Sequence, residues 1–374
     1  MAILEQTCSK RRPLISVAMS VFNGADFLAE AVESILSQSF RDFEFVIVDD
    51  GSSDETAEIL EGYQRKDRRI RVWRQGNKGL IASLNRACAL AQGKFVARMD
   101  ADDIALSDRL ERQVAFMQEH PDIAVVGGAI ELIDSAGKSF GFEYPPQTDQ
   151  EIKRALLRGD CPFSHPTVMM RAEVVASLSG YRPIVLDAED FDLWSRIADG
   201  HKLANLTVPV LKYRRHPKQI SIQKFKQQAL SVLAARTAAA TRRRGLPDPL
   251  GDLTEITAST LAGLGVSEAA QQSALCRAYV TCLRSMYLAG EYVAALNTAR
   301  AAGANDFELA DRAAVTDLRL LFALLLWRER KYARSIRTAG AALLRRPITL
   351  VRPLKPLLRR AGLVGIREVI ATAP

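Results

Sequence analysis

Phe43-Glu44-Phe45-Val46-Ile47-Val48-Asp49-Asp50-Gly51-Ser52-Ser53-Asp54 is the stretch from which the fold is read. It begins almost wholly apolar, as a strand buried on both faces should. It then breaks into acids, Gly and Ser, which turn the chain. A helix follows to about Arg65. Upstream, Ile15 to Val21 is a second apolar strand, and Asp26 stands where it would cap a helix running through Gln38. Phe27, Leu28, Ala31, Val32 and Ile35 form one face of that helix. Downstream come a short strand at Ile70 to Trp73 and a helix from Leu80 to Ala91 that stops at Gly93. A strand at Lys94 to Met99, a helix after Asp108 and a strand at Ile123 to Gly127 continue the rhythm. Alternating strands and helices predict an α/β fold: a mostly parallel sheet with right-handed crossovers and flanking helices.

The length, 374 residues, suits two domains. A hydrophobic fraction of 48% and a charged fraction of 25% exclude a disordered chain or a disulfide scaffold. The densest apolar run, Leu320 to Trp327, lies between Arg319 and Arg328 and is far too short to span a membrane. The opening MAILEQTCSKRRPLISV carries charges where a signal peptide has its apolar core, so a cytoplasmic protein is expected. Cys8, Cys88, Cys161, Cys276 and Cys282 are odd in number and never spaced CxxC, which fits a reducing compartment.

Past Asp149 the alternation loosens, and from Phe225 on the chain is Ala- and Leu-rich and reads as all-α. That back part holds 22 Lys and Arg against 11 Asp and Glu, while the front part is slightly acidic. Such asymmetry suits a polyanionic partner. MYLAGEYVAALNTARAAGA from Met286 and LLWRERKYARSIRTAGAAL from Leu325 repeat one pattern, with Tyr292 and Tyr332 in equivalent places, as in helical-hairpin repeats. Arg345, Arg346, Arg352, Lys355, Arg359, Arg360 and Arg367 run among Leu, Val and Ile without an acid between them. They suit either an anionic membrane surface or a solvated basic face.

Ligands of open α/β sheets sit at the carboxyl ends of the strands. Three such ends are polar here: Ser20-Val21-Phe22-Asn23, Asp49-Asp50-Gly51-Ser52, and Asp100-Ala101-Asp102-Asp103. Gathered carboxylates repel one another unless a divalent cation lies between them, and oxygen ligands suit Mg or Mn. Asp100 and Asp102 are the candidate pair, with Asp103 read as a cap or turn residue. Neither GxGxxG nor GxxxxGK[ST] is present, so a bound diphosphate needs metal and side chains to neutralise it.

ISVAMSVFN, SILSQSFRDFEFVIVDDGSSDET, NKGLIASLNRACALAQGKFVARMDADDIALSDRL, CPFSHPTVMMR, AEDFDLWSRIADG and YRRH together resemble family-2 glycosyltransferases of the GT-A fold, over roughly Pro13 to Ser221. The resemblance implies a transferase domain at 13–224; the helical, basic domain expected at 225–374 has no counterpart in it and rests on composition alone. It implies that Phe22 packs on a nucleobase, usually uracil, and that Ser20 lines the same pocket. Asp50 would accept from base or ribose with Asp49 in support, unless the two merely cap the turn at Ser52. Asp100 and Asp102 would hold Mn or Mg on the diphosphate of the nucleotide sugar. Asp190 would be the catalytic base of an inverting transfer, with Glu189 and Asp192 as rivals. Trp194 would be either a floor for a sugar ring or ordinary helix packing. His216 would be either a third metal contact or a plain loop residue. Arg214 or Arg215 would pair with phosphate, and His165 would be structural or acceptor-side.

Leu193-Trp194-Ser195-Arg196 stands where processive relatives carry Gln-x-x-Arg-Trp, which implies addition of one sugar at a time. The acceptor implied is a glycan or lipid-linked hydroxyl, met by a cytoplasmic protein peripheral to the inner face of the membrane. A non-catalytic scaffold that only binds nucleotide sugar is the alternative. Nucleic-acid binding is not expected, since the basic tail carries no recognition motif.

Overall fold

The computed structural model describes residues 12–216, 224–303, 305 and 307–345. The basic stretch beyond Arg345 and the N-terminal leader reading lie outside these residues. The chain divides into two compact units: one up to Arg215 together with Ala235–Asp252, the other comprising His216–Ala234 and the chain from Leu253 on.

In the first unit β1 (Ile15–Val21), α1 (Ala25–Leu36), β2 (Phe43–Asp49), α2 (Thr56–Lys66), β3 (Ile70–Arg74), α3 (Leu80–Leu90) and β4 (Phe95–Met99) alternate as the periodicity requires. Then come β5 (Ile104–Ala105), α4 (Arg109–Glu119), β6 (Ile123–Ile133), β7 (Ser139–Glu143) and α5 (Asp149–Arg158). A 3-10 turn at His165–Thr167, β8 (Met169–Arg171), α6 (Ala172–Ser177), α7 (Glu189–Ala198) and β9 (Lys202–Arg214) complete it. The sheet order is β3-β2-β1-β4-β8-β6-β9-β5, with β7 pairing to β6. The first four of these strands are parallel. Beyond β4 the sheet is mixed: β8 runs antiparallel to both β4 and β6, and β9 parallel to β6. The sheet thus changes direction beside β4, where β8 runs antiparallel to it.

Register explains why the polar strand ends meet. Val21 lies opposite Asp49, and Met19 opposite Met99, so β1, β2 and β4 finish at one edge. The buried faces of these strands and of α1 and α4 form one apolar core, including Val17, Phe45, Ile47, Leu28, Ile35 and Val114. Glu44, a charge within an apolar strand, is satisfied by the Ser16 hydroxyl (2.6 Å) and the Arg71 guanidinium.

Asp26 is not the N-cap of α1; the cap position is Gly24, and Asp26 lies in the first turn. Two amide donors at the start of the helix are taken by the segment that leads into α2. Gly24 N–H donates to Thr56 Oγ1 (2.9 Å) and Ala25 N–H to Asp54 Oδ2 (3.1 Å).

In the second unit, α8 (Phe225–Arg243) begins and then carries the chain into the first. α9 (Ala258–Gly263), α10 (Glu268–Leu288), α11 (Tyr292–Gly303), α12 (Arg312–Arg328) and α13 (Tyr332–Arg345) follow. Tyr292 and Tyr332 each open the second helix of a hairpin. Cys276, Tyr279, Leu283, Leu296, Leu318 and Leu321 are among the residues of its own apolar core. The expected boundary at Phe225 is displaced: Ala235–Asp252 packs with the first unit, where Arg242 pairs with Asp199 (2.7 Å) and Asp248 with Arg182 (2.8 Å). Among the described residues no helix is long and apolar enough to cross a membrane.

Candidate active site

The first two strand ends are stitched together. Asn23, held at φ 51°, donates its N–H to Ser52 Oγ (2.9 Å), and its amide oxygen accepts from Ser53 N–H (2.8 Å). A left-handed backbone suits Asn better than most residues. Phe22, beside it, is 51% exposed, and Ser20 is half-buried.

Asp49 is buried and caps the turn, accepting from Ser52 N–H (2.9 Å), with Arg74 Nε 3.3 Å away. The turn-cap alternative is therefore the one seen for Asp49. Asp50 is also buried. It accepts from Gln75 Nε2 (2.8 Å), Lys78 N–H (2.9 Å) and Gly79 N–H (2.8 Å), and so shapes the loop entering α3. Three of about four lone-pair positions are taken, leaving one for a ligand.

At the end of β4 an oxygen from each of Asp100, Asp102 and Asp103 lies within 4.8 Å of the other two. Asp103 is buried; its Oδ1 accepts from Arg214 N–H (2.8 Å), and its Oδ2 has no hydrogen-bond partner among the described residues. Burial, and then the neighbouring carboxylates, push Asp103 well above the usual carboxylate range. Burial also raises Asp100, against the pull of the Arg98 guanidinium paired with it. An orphaned buried oxygen, three crowded carboxylates and an all-oxygen donor set fit a hard divalent cation. Asp103 was read in the sequence as a cap; the structure brings it into the group.

His216 is half-buried, opens the second unit and is not a member of this group. Arg214 is not a phosphate ligand in this structure. Its guanidinium is buried, with Nε donating to Asp102 O (2.8 Å) and NH2 to Glu30 Oε2 (2.7 Å), and it lies over the Phe27 ring. It clamps the acidic loop from behind. Arg215 lies over the Tyr213 ring and 3.8 Å from Glu143.

α7 presents the second acidic group. Asp190 is half-buried; its Oδ1 accepts from Phe191 N–H (2.6 Å) and its Oδ2 from the Cys161 thiol (3.5 Å). Glu189 is buried, 3.9 Å from His165 Nδ1. Burial, then the charge of Asp190, push Glu189 up to about 8. His165 Nε2 lies 2.9 Å from the Tyr181 hydroxyl, and burial holds the ring well below its ordinary range, so it is neutral. Asp190 is raised too, chiefly by burial, but it keeps an accessible face. Two adjacent carboxylates with unequal environments divide into one that keeps its proton and one that ionises. Asp192 drops out as a rival base: it is fully buried between Arg182 and Arg196, with Nε of each at 2.9 and 2.8 Å. Trp194 is no sugar floor, because its ring is wholly buried, edge-on to Phe163 and His165.

Arg98 was missed in the sequence. It is buried on β4, paired with Asp100, and its charge also bears on Glu189 and Asp190. A lone cation in the apolar strand Phe95-Val96-Ala97-Arg98-Met99 was the available signal, since a buried charge demands a partner. Arg109, also buried, donates from NH2 to Arg98 O (2.7 Å) and supports the same strand.

Residues 16–178 match the family described as Glycosyl transferase family 2. The putative glycosyltransferase EpsE of Bacillus subtilis is 37% identical over 54% of this chain and 73% of its own length. The chain belongs to glycosyltransferase family 2. The O-antigen biosynthesis glycosyltransferase WbnJ of Escherichia coli is 33% identical over 55% of this chain and 81% of its own length. Among solved structures, S. aureus TarS 1–349 in complex with UDP-GlcNAc is similar at 17% identity and TM-score 0.49, over 87% of this chain and 90% of that one.

The Glu189–Asp190 pair of this family 2 chain yields a stability prediction. Glu189 titrates near 4.5 when unfolded and near 8 when folded, so the native state binds the extra proton between those values. Stability is therefore full below that window and falls as pH rises through it, by about 1.4 kcal/mol per pH unit for one proton. Glu189→Gln, which has no proton to lose, should flatten the slope in thermal melts from about pH 5 to 8. Identical pH dependence in the two proteins would contradict a buried, proton-holding Glu189.

Proposed function

We propose that the chain is a metal-dependent, inverting transferase that moves one sugar from a nucleotide sugar, a UDP-sugar in the first instance, to a hydroxyl of a glycan or lipid-linked acceptor. The observation that carries this reading is the acidic group Asp100, Asp102 and Asp103 at the carboxyl edge of the sheet, with its orphaned buried oxygen. Phe22 offers an exposed ring to the nucleobase, Ser20 lines its edge, and Asp50 offers its remaining lone pair to base or ribose. Asp100, Asp102 and Asp103 would hold Mn or Mg, which when bound supplies positive charge to the departing diphosphate. Arg98 and Arg214 fix the carboxylates from behind.

Asp190 accepts the proton of the acceptor hydroxyl as the new glycosidic bond forms. Protonated Glu189 next to it adds no second negative charge and so leaves Asp190 as the base. Arg215 and His216 are left as diphosphate-side candidates, and His165 supports Glu189 from the rear. The relatives include proteins named for O-antigen and teichuronic acid biosynthesis, which supports a part in the synthesis of a surface polysaccharide.

A thermal-shift screen of nucleotide sugars, with and without Mn, tests the reading. The cognate donor should raise the melting temperature by mass action only when metal is present. Slow Mn-dependent hydrolysis of that donor should accompany binding. Binding without any hydrolysis or transfer would favour a non-catalytic scaffold. No stabilisation by any nucleotide sugar would remove the proposal.

A further inference from the structure

The two helical hairpins of the second unit carry the same aromatic clasp. In the first, Tyr287 meets Tyr292 edge-on at 5.2 Å between ring centres; in the second, Trp327 meets Tyr332 at 4.8 Å. The first clasp is covered: Tyr287 is buried, and the Arg328 guanidinium of the second hairpin lies 3.6 Å from the centre of the Tyr292 ring. In a stack of repeats each unit covers its predecessor, and the last one needs another partner. The second clasp lies open, with Trp327 48%, Tyr332 47% and Ile336 61% exposed.

Charge indicates what covers it. Arg328, Arg330, Lys331, Arg334 and Arg337 are all exposed among these apolar residues, against one acid in the run, Glu329. The residues that follow, 346–367, bring six more cations and no acid. Exposed Trp and Tyr rimmed by Arg and Lys match a lipid headgroup layer. There the rings bury their bodies with their polar atoms in water, and the cations meet anionic headgroups.

We infer that the turn joining α12 to α13, with Trp327, Tyr332 and Ile336 as its apolar part and Arg330, Lys331, Arg334 and Arg337 as its rim, docks the protein on an anionic lipid bilayer. The inference stands independently of the transferase reading.

The test uses the full chain with vesicles of phosphatidylglycerol and phosphatidylcholine, against vesicles of phosphatidylcholine alone. The wild-type protein should sediment with the anionic vesicles, and raising salt should release it. Trp emission should shift to the blue on binding, and Trp327→Phe should abolish the shift. Replacing Arg330, Lys331 and Arg334 together by Gln should weaken partitioning by about 100-fold, about fivefold for each cation lost. Ile336→Asp, at a well-exposed position, is a second variant that should fold normally and bind weakly. The idea is overturned if both variants bind as the wild type does, if neutral vesicles bind equally well, or if the emission shift survives in Trp327→Phe. It is equally overturned if the patch variants lose affinity for a DNA duplex while anionic vesicles bind none of the proteins.

Discussion

Asp102→Asn should reduce sugar transfer below detection while the protein stays folded. Asp102 is half-buried and stands with Asp100 and Asp103 in one group of oxygens. A neutral amide removes one of three charges that a hard divalent cation would compensate. The same charge raises both Asp100 and Asp103, so its loss relieves crowding in the metal-free protein. The melting temperature without metal should therefore be unchanged or higher in the variant. The stabilisation that Mn and donor give the wild type should disappear. Calorimetric titration of UDP with and without Mn, beside turnover, separates these effects. Full wild-type turnover in excess EDTA would sink the metal assignment for the whole group.

Asp190→Asn should act on rate rather than on binding. Donor affinity should stay close to wild type, and turnover should drop by roughly two to four orders of magnitude, the usual contribution of a general base. The half-buried carboxylate lies at the start of α7 and makes no ion pair with Arg182 or Arg196, which are committed to Asp192. A base must be unprotonated to act. Burial raises Asp190, so wild-type rate should climb with pH through a value above that of an ordinary Asp. Glu189→Gln is the control: it keeps the neutral form that Glu189 already holds and should retain most of the rate. If Glu189→Gln loses the rate and Asp190→Asn keeps it, the base is Glu189.

Much of this site was legible in the chain because it lies where local patterns end. Buried strands announce themselves by continuous apolar residues, and in a parallel sheet their carboxyl ends must share one edge. The clustering of Asp49, Asp50, Asp100 and Asp102 near that edge needed no coordinates. Leu193 and Ile197, four apart in the sequence, are both buried on α7.

What could not be read was decided by contacts between residues far apart in sequence. Arg214 looked available for phosphate, yet it is buried behind the acidic loop, more than a hundred residues away along the chain, and donates to the Asp102 carbonyl. Asp192 and Asp190 are equally acidic in the sequence; Arg196, one turn on along α7, and the arrival of Arg182 from outside the helix together make Asp192 a structural ion pair. Trp194 faces Phe163 and His165 because the segment before β8 folds back under α7. Ala235–Asp252, basic like the tail, joins the first unit because Arg242 finds Asp199 and Arg182 finds Asp248. Sequence by itself determined the elements as far as β4, their order and the chemistry at their ends, since those follow from side-chain periodicity and backbone propensity along a short stretch. Tertiary structure decided which charges are buried and paired and which remain open to a ligand. Desolvation and ion pairing depend on what packs against a residue, and its sequence neighbours do not record that.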